Sequence, residues 1–414
     1  MLTSLKAWLW LTLTLDTAPA WQVFHYFDSP EKAYFADDGE YALIPRLTEN
    51  NRKKLANKSL AEAERVLADC DKLGISILTW QDADYPERLR NIAPAPLVLY
   101  YRGTLPRFDD EIAIAMAGTR KATPYGKKVS AELAFQITRL GGLVLTGIVG
   151  GCDRYAVDGA LKAGGPLVAV VAGGVDLPYY SDEESQRLMD DIAAVGTIIS
   201  QRAPGTPHMG DYFASRNALL TGLALGTVCV EAPPRSGTLN VARLALEAGR
   251  DVYAVPANID APSAGGTNQL LVQGEAICVC SGADVLEHYW ALYPHCRKQP
   301  EPLTKEQKAQ RLNATKPKPH KTAPTPAPAP TPEPAPEPDS AVRTISLREH
   351  ASEFTDDEQT ILRALEEGAL VTDLLVARTE IPARRVSATL TVLTIRGMVR
   401  QLSGGRFEAT VKLI

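Results

Sequence analysis

Several marks of common protein classes are missing from this sequence, and each absence narrows what the chain can be. None of the six cysteines forms a C-x-x-C pair, so the spacing typical of zinc and redox sites is missing. The six histidines show no metal-ligand spacing either. No apolar run approaches the ~20 residues of a membrane-spanning helix. We therefore expect a cytoplasmic protein with buried, reduced thiols, no metal site and no membrane contact.

Catalytic signatures are also missing. The chain has neither a G-x-S-x-G elbow nor a G-x-x-x-x-G-K-[ST] loop, and no obvious base stands beside a nucleophile. We predict a non-enzymatic protein with no catalytic residues and no cofactor. The net charge is −5, so any contact with nucleic acid has to come from a local patch of cations.

The N-terminus is open to two interpretations. Lys6, an apolar run over residues 7–15 and an A-x-A pattern at residues 18–20 imitate a signal peptide. The alternative is the first helix of a small domain. We favour the helix because the run is short, threonines interrupt it, and Asp16 closes it.

Composition and periodicity divide the 414 residues into four segments. Residues 1–102 are mostly helical in pattern. Residues 103–297 alternate short apolar strands with helices, which predicts a doubly wound, mostly parallel α/β sheet covered on both faces. We predict a proline-rich, disordered linker over residues 298–349. Proline occupies every second position from 324 to 334, which favours an extended polyproline II spacer over a proline-rich binding motif.

The C-terminal segment, residues 350–414, shows three helices followed by a hairpin around Gly404-Gly405. That order is typical of a winged helix. Arg384 and Arg385 begin the third helix and could touch phosphates, but eight acidic residues balance eight basic ones over residues 355–414. Contact with DNA, contact with protein and a structural role all stay open.

The most informative stretch is the turn Gly118–Gly126, which joins a strand-like run to a helix-like run. Such a turn holds phosphate because glycine lets the backbone come close and the helix N-terminus offers free N–H groups. Arg120 and Lys121 lie inside the turn. Two cations at this point favour a polyanion over a single pyrophosphate.

Other polar segments follow further predicted strands. Because ligands bind outside the carboxyl ends of parallel strands, we expect these segments to form one crevice. Arginines there can fork onto phosphate, and Phe213 can stack on a base. The candidate DNA- and phosphate-binding residues are Gly118, Thr119, Arg120, Lys121, Gly147, Phe213, Arg216, Asn217, Ser236, Gly237 and Thr238.

Structural roles compete with these assignments. We predict Asp153 to be a helix N-cap in preference to an acid. Glu231 and Asp176 could simply brace loops, and Phe213 could belong to the core.

Taken in order, the motifs resemble the DprA/Smf family of DNA-processing proteins. The similarity rests on G-[ST]-R-x-A-T-x-Y-G at residues 118–126, G-G-x-D at 173–176, F-x-x-R-N at 213–217 and V-E-A…S-G-T at 230–238. It extends to D-x-D-Y-P-x-x-L at 82–89 and G-R-D-V-Y-A-V-P-A-N at 249–258. Each motif alone is weak, and their succession is specific.

The resemblance implies a SAM-like or helix-hairpin-helix-like N-terminal domain, an extended Rossmann domain and a winged helix. It further implies single-stranded DNA binding, protection of incoming strands in natural transformation, loading of the RecA recombinase, and a homodimer through the Rossmann domain. This chain departs from the family pattern at two cations, with Gly150 and Ala218 where relatives place arginine. We therefore expect weaker and less salt-sensitive DNA binding than in relatives.

Two alternative functions on the same sheet are nucleotide hydrolysis and nucleotide binding, the latter as a structural sensor that uses the same crevice. Phosphoribohydrolases that resemble lysine decarboxylases carry P-G-G-x-G-T-x-x-E, with a catalytic glutamate. The matching stretch here ends in Val241. An N-glycosidase needs a carboxylate to stabilise an oxocarbenium-like transition state, so this enzyme is disfavoured, although Glu231 or Asp176 could substitute in principle.

Overall fold

The structure is a computed structural model that describes residues 2–299, 343–345, 354–366, 368–401 and 406–413. The chain divides into two units, Met1–Lys316 and Pro317–Ile414.

One continuous sheet organises the first unit. Its strands are β1 Ser76–Thr79, β2 Val98–Gly103, β3 Ala113–Ala117, β4 Leu143–Thr146, β5 Leu167–Val170, β6 Thr197–Ser200, β7 Gly226–Cys229, β8 Asp251–Ala254 and β9 Ile277–Cys278. Within the described residues they lie in the order β1-β2-β6-β5-β4-β3-β7-β8-β9. The pairs from β6 to β9 are parallel, and only the β1–β2 and β2–β6 pairs are antiparallel. The predicted mostly parallel α/β fold is confirmed.

The sheet is parallel because its strands are apolar on both sides. Every residue of β3, β4, β5, β6 and β7 is buried, as expected when helices cover both faces. β3 shows the alternation: Ile114 and Met116 join one core cluster, and Ala113, Ala115 and Ala117 join the other.

Helices connect and cover the strands. They are α1 Ser4–Thr14, α2 Thr17–Phe27, α3 Pro30–Phe35, α4 Asp38–Ala42, α5 Glu49–Ala56, α6 Ala61–Leu73, α7 Glu87–Arg90, α8 Pro124–Arg139, α9 Cys152–Ala163, α10 Glu183–Val195, α11 Tyr212–Leu223, α12 Gly237–Glu247, α13 Gly265–Val272 and α14 Gly282–Leu286. Short 3₁₀ turns occupy Phe108–Asp110 and Pro294–Cys296. No helix in the described ranges combines the length and apolarity needed to cross a bilayer.

The N-terminal apolar run forms α1, as predicted. The Thr3 hydroxyl accepts a hydrogen bond from the Lys6 N–H and caps the helix. Trp8, Leu9 and Leu11 are buried in the core cluster that also holds one face of the sheet. The helical layer and the sheet therefore share one hydrophobic core.

The sheet extends into the segment that the sequence assigns to the first domain. β1 lies wholly before residue 103 and β2 ends at Gly103, and β2 pairs with β6 at the registers Tyr100–Ser200 and Arg102–Ile198. The division at residue 102 stays a prediction of domain organisation. The predicted linker lies mostly outside the described residues, although Arg343–Ile345 within it forms a strand.

The second unit holds three helices and short strands among its described residues. They are β10 Arg343–Ile345, α15 Asp356–Leu365, β11 Leu370–Val371, α16 Thr372–Thr379, α17 Ala383–Ile395, β12 Val399–Gln401, β13 Arg406–Ala409 and β14 Val411–Leu413. β13 pairs with both β11 and β12, and β10 pairs with β14. This arrangement agrees with the predicted winged helix, although the turn at Gly404-Gly405 lies outside the described residues.

The phosphate contact predicted for the second unit meets a competing interaction. Nε and Nη2 of Arg385 each donate to the Asp357 carboxylate at 2.8 Å. This two-bond ion pair leaves less of the guanidinium for an external phosphate. The side chain of Arg384 lies outside the described part of the structure.

The expectation that all cysteines are buried is wrong for two of them. Cys70, Cys152, Cys229 and Cys296 are buried, but Cys278 and Cys280 are exposed, and all six thiols are free. Cys278 lies on β9, the last strand of the sheet order, and Cys280 follows two residues after that strand ends. An edge strand without a covering layer leaves its side chains in solvent.

Candidate nucleic-acid interface

The strand order reverses next to β3, and this reversal creates a crevice. β3 pairs with β4 on one side and with β7 on the other, so the connections leaving their carboxyl ends diverge. Ligands bind at such a switch point in doubly wound sheets. A cavity of about 300 Å³, here called the strand-end cavity, opens at this point.

The strand-end cavity gathers nearly all the residues that the sequence proposed. Ten of the eleven line it, from three separate segments of the chain. Its lining residues are Ala117, Gly118, Thr119, Arg120, Lys121, Val149, Asp153, Phe213, Arg216, Asn217, Ser236, Gly237, Thr238 and Val241. The eleventh, Gly147, lies beside Arg216: a Cβ there would come within 2.8 Å of Arg216 Nη1. The binding role of these residues stays a prediction.

Close packing at two glycines shapes one wall of the cavity. A Cβ on Gly118 would lie 2.4 Å from the Cys152 Cβ, and a Cβ on Gly151 would lie 2.2 Å from the Thr119 carbonyl oxygen. Gly151 also has φ +59°, which favours glycine. The Cys152 N–H donates to the Thr119 oxygen at 3.1 Å. The first turn of α9 is thereby fastened to the turn that follows β3.

Arg216 and Asp153 form a buried pair at the base of this wall. Their exposed fractions are 6% and 8%, and Arg216 Nη2 lies 3.9 Å from Asp153 Oδ2. The Nε of Arg216 has no hydrogen-bond partner among the residues that the structure describes. The guanidinium is therefore held in place with unused donor capacity.

Burial dominates the electrostatics of this pair. It raises the pKa of Asp153 to about 6, against the opposing effects of the Arg216 guanidinium and the Gly118 N–H. Burial also lowers the pKa of Arg216, and Asp153 opposes that shift. Each side chain thus stabilises the charged form of the other in an environment that disfavours both charges.

The prediction that Asp153 is an N-cap is wrong. Gly151 is the N-cap of α9 and Asp153 is the second residue of the helix. The carboxylate turns inward because Arg216 lies opposite, and a buried cation makes a stronger partner than a helix N–H.

Phe213 is not packed in the apolar core, and its ring contacts two arginine side chains. It is half-buried, and its ring centroid lies 4.9 Å from the Arg120 Cζ and 5.3 Å from the Arg216 Cζ. Guanidinium groups at these distances interact favourably with an aromatic ring. The contacts gather both arginines and the ring at one point.

The N-terminus of α12 forms the opposite wall. Ser236 is the N-cap, but its side chain makes no capping hydrogen bond. Its Oγ is buried and has no partner within the described ranges. The first N–H groups of a helix also lack intrahelical acceptors. A free hydroxyl and free N–H groups beside two arginines suit a phosphate.

Glu231 and Asp176 brace loops, in agreement with the structural role that the sequence allows them. The Glu231 carboxylate accepts hydrogen bonds from the Thr123 N–H at 2.9 Å and the Thr123 hydroxyl at 2.8 Å. The Asp176 carboxylate accepts from the Gly205 N–H at 3.0 Å. Neither carboxylate lines the strand-end cavity.

Sequence reasoning missed an aromatic group next to Phe213. The Tyr179 ring lies 6.0 Å from the Phe213 ring and 4.8 Å from the Tyr180 ring, and 53% of Tyr180 is exposed. His208 supports the loop: its Nδ1 accepts from the Gly173 N–H, and its Nε2 lies 2.8 Å from the Leu177 oxygen. The adjacent tyrosines after the G-G-x-D motif were the available signal.

Among the described residues, no three His, Cys, Asp or Glu side chains are grouped in a way that could hold a metal ion.

Comparison with known proteins places this geometry in a family. The sequence model described as DNA recombination-mediator protein A matches residues 76–290, just over half of the chain, and the model described as DprA winged helix domain matches residues 323–405. The DNA processing protein DprA of Bacillus subtilis is 34% identical over 54% of this chain and 74% of its own length. The Streptococcus pneumoniae protein of that name is 33% identical over 50% and 72%.

A solved structure of a DprA protein has a similar fold. The X-ray structure of DNA processing protein A from Streptococcus pneumoniae covers 69% of this chain and 98% of its own, at 25% identity and a TM-score of 0.60. The resemblance inferred from the motifs is confirmed.

The raised pKa of Asp153 links stability to pH. The pKa of Asp153 is about 6 in the folded protein, against an ordinary value of 3.8. The contribution of Asp153 to the free energy of unfolding is therefore fully present below pH 3.8 and is lost as the pH rises through 6. We expect the free energy of unfolding of the wild type, relative to Asp153→Asn, to fall by about 3 kcal/mol from low to neutral pH.

Urea unfolding across that range measures the difference, and Asp260→Asn, a change at an exposed loop residue, is the matched control. Parallel pH profiles for wild type and Asp153→Asn would contradict the assignment.

Proposed function

The chain belongs to the DNA recombination-mediator protein A family, and from that premise we propose that it is a DNA-processing protein that binds single-stranded DNA in the strand-end cavity. The observation that carries the proposal is the pair of unused donors in one cavity. Arg216 Nε and Ser236 Oγ are both buried and unpaired among the described residues. Leaving such groups unpaired costs roughly 1–3 kcal/mol each, and phosphate oxygens would satisfy both.

In the proposed complex, Ser236 and the first N–H groups of α12 donate to a phosphate. Arg216 approaches the same phosphate from below, and Asp153 keeps its guanidinium oriented. The exposed Arg120 and Lys121 add charge above it. A base then stacks on Phe213, a contact worth roughly 1–3 kcal/mol.

The depth of the donors supports a single strand over a duplex. Arg216 is nearly buried and lines a cavity of about 300 Å³, so only a splayed-out nucleotide reaches it. A base can stack on Phe213 only when it has left its own duplex stack. Proteins that bind single strands combine cations and aromatic rings in this way.

We also propose that this chain binds DNA more weakly than its relatives, because Gly150 and Ala218 stand where relatives place arginine. Gly150 has φ +131°, a conformation that favours glycine, so an arginine there would be strained. Ala218 lies on α11 and is not part of the cavity lining.

Nucleotide hydrolysis has less support. Val241 lines the cavity where related enzymes place their acid. Glu231 and Asp176 are engaged outside it, and the carboxylate that does line it, Asp153, is paired with Arg216. We therefore keep the proposal of a non-enzymatic mediator.

Strand binding is tested with labelled oligo-dT, the same sequence as a duplex, and thymidine monophosphate, followed by fluorescence anisotropy. We expect the single strand to bind best, and Arg120→Ala to weaken it about tenfold because a charged hydrogen bond is lost. The double variant Arg216→Gln/Asp153→Asn removes the buried pair without leaving a lone buried charge. We expect this double variant to bind the single strand with roughly 10–100-fold lower affinity.

Arg243→Gln is the control, since Arg243 pairs with Glu247 on the exposed side of α12. Preferential binding of the monophosphate, with turnover, would overturn the proposal.

We propose that the bound strand is protected and handed to the RecA recombinase. Sequestration in a deep cavity shields the backbone from nucleases. We expect the wild type to slow nuclease digestion of oligo-dT and to shorten the lag of RecA assembly on strands coated with single-strand binding protein. Arg120→Ala should lose both effects in proportion to its lost affinity. Unchanged digestion and lag at saturating wild type would exclude this role.

A homodimer through the first unit is also proposed. β9 forms the free edge of the sheet, and it pairs with β8 alone among the described strands. Ile277 on β9 is 44% exposed and Val272, at the end of α13, is 88% exposed. A free strand edge beside apolar side chains is a template for association.

Sedimentation at several concentrations tests the dimer. We expect Val272→Lys to shift the wild-type dimer toward monomer, whereas Leu43→Lys, at an exposed leucine on the N-terminal helical segment, leaves it unchanged. A wild type that sediments as a monomer at all concentrations would contradict the interface.

A further inference from the structure

A second cavity lies outside the proposed site. It has a volume of about 320 Å³ and is bounded by the α1–α2 connection, the segment before β2 and the segment after β6; we call it the interlayer cavity. The residues that matter to its chemistry are Asp16, Thr17, Tyr100, Gln201, Arg202 and Tyr212. Cavities of this size hold small ligands or parts of larger ones.

Two donors in the interlayer cavity have no acceptor. Gln201 Nε2 and Arg202 Nε are both buried, and neither has a hydrogen-bond partner among the described residues. Both residues directly follow β6, at the carboxyl end of the sheet. Buried polar atoms in native proteins are nearly always paired, so two adjacent unpaired donors indicate a ligand that supplies acceptors.

Helix α2 adds donors of the same kind. Its N-cap, Asp16, makes no side-chain capping bond, and both Asp16 and Thr17 line the cavity. The Thr17 and Ala18 N–H groups at the start of this 11-residue helix therefore have no intrahelical or capping acceptor, and the third residue, Pro19, has no N–H. The inner surface is rich in donors, whereas the acidic lining residues, Asp16 and Glu62, are exposed.

The two cavities are neighbours. The Arg202 Cζ lies 4.0 Å from the centre of the Tyr212 ring, and Tyr212 lines the interlayer cavity. The next residue, Phe213, lines the strand-end cavity. Consecutive Cα atoms are about 3.8 Å apart. Two adjacent residues at the start of α11 therefore line different cavities.

We propose that the interlayer cavity binds a second phosphate of the same single strand, a few nucleotides from the one in the strand-end cavity. Gln201 Nε2 and Arg202 Nε donate to its oxygens, and Tyr212 holds the guanidinium flat. The charged lining side chains, Lys54 and Arg202 against Asp16 and Glu62, balance to zero. Recognition therefore depends on directed hydrogen bonds and not on a broad positive field. This inference rests on the proposed function and extends its binding path.

The test uses the full chain and labelled oligo-dT strands of about 2, 6 and 15 nucleotides, the first shorter than known single-strand site sizes of about 4–16 nucleotides and the other two within them. We expect Arg202→Gln to weaken binding of the longest strand about tenfold. The slope of log affinity against log salt concentration should fall in magnitude by about 0.7 for that strand. The affinity for the shortest strand should stay unchanged. Arg202→Lys keeps the charge but loses the Nε–H. Its affinity for the longest strand should lie between those of the wild type and Arg202→Gln. Arg187→Gln, which removes an exposed arginine paired with Glu183, is the matched control.

Each outcome decides the matter. An equal loss at all lengths would mean that Arg202 acts on the strand-end cavity through α11, and no loss at any length would mean that no phosphate binds there; both overturn the inference. Loss of thymidine monophosphate binding with an unchanged long strand would assign the cavity to a free nucleotide and also overturn it. Gln201→Ala, checked by thermal melting, replaces Arg202→Gln if that variant fails to fold. If the wild type binds no strand, the proposed function itself has failed.

Discussion

The buried Arg216–Asp153 pair is the constraint around which the interface is built. Desolvating two charges is costly unless each has a partner, and here the partners lie 3.9 Å apart with one guanidinium donor unused. The surrounding backbone accommodates the pair: Gly147 leaves room above it, where a Cβ would come within 2.5 Å of Asp153 Oδ2. We propose that this arrangement orients the Arg216 guanidinium for an external anion.

The fold brings the pair together from distant parts of the chain. Asp153 belongs to α9 after β4, Arg216 to α11 after β6, and Ser236 precedes α12 after β7. All three connections leave the same carboxyl edge of the parallel strands, and residues from each of them line the cavity beside β3, where the strand order reverses. In this account, a single strand enters with its phosphate on α12 and Arg216 and its base on Phe213. The neighbouring interlayer cavity extends the same path.

Much of this could be predicted because parallel sheets obey strong local rules. Continuous apolar strands separated by helices fix the fold class, and polar residues at their carboxyl ends must share one edge. That rule placed Gly118, Phe213, Arg216 and Ser236 together without any contact information.

The failures have a common physical cause, which is tertiary context. Asp153 looks like a capping residue until Arg216 is seen opposite it, 63 residues away along the chain. Cys278 looks buried until β9 proves to be the sheet edge. Tyr179 and the interlayer cavity depend on how a loop and the N-terminal helices pack against the sheet, which no local pattern encodes.

The most direct measurement is a crystal structure of the full chain with bound oligo-dT. The account predicts one phosphate within hydrogen-bond distance, about 3 Å, of both Ser236 Oγ and the Arg216 guanidinium, with a base against Phe213. A strand bound elsewhere, with the strand-end cavity free of phosphate, would contradict it.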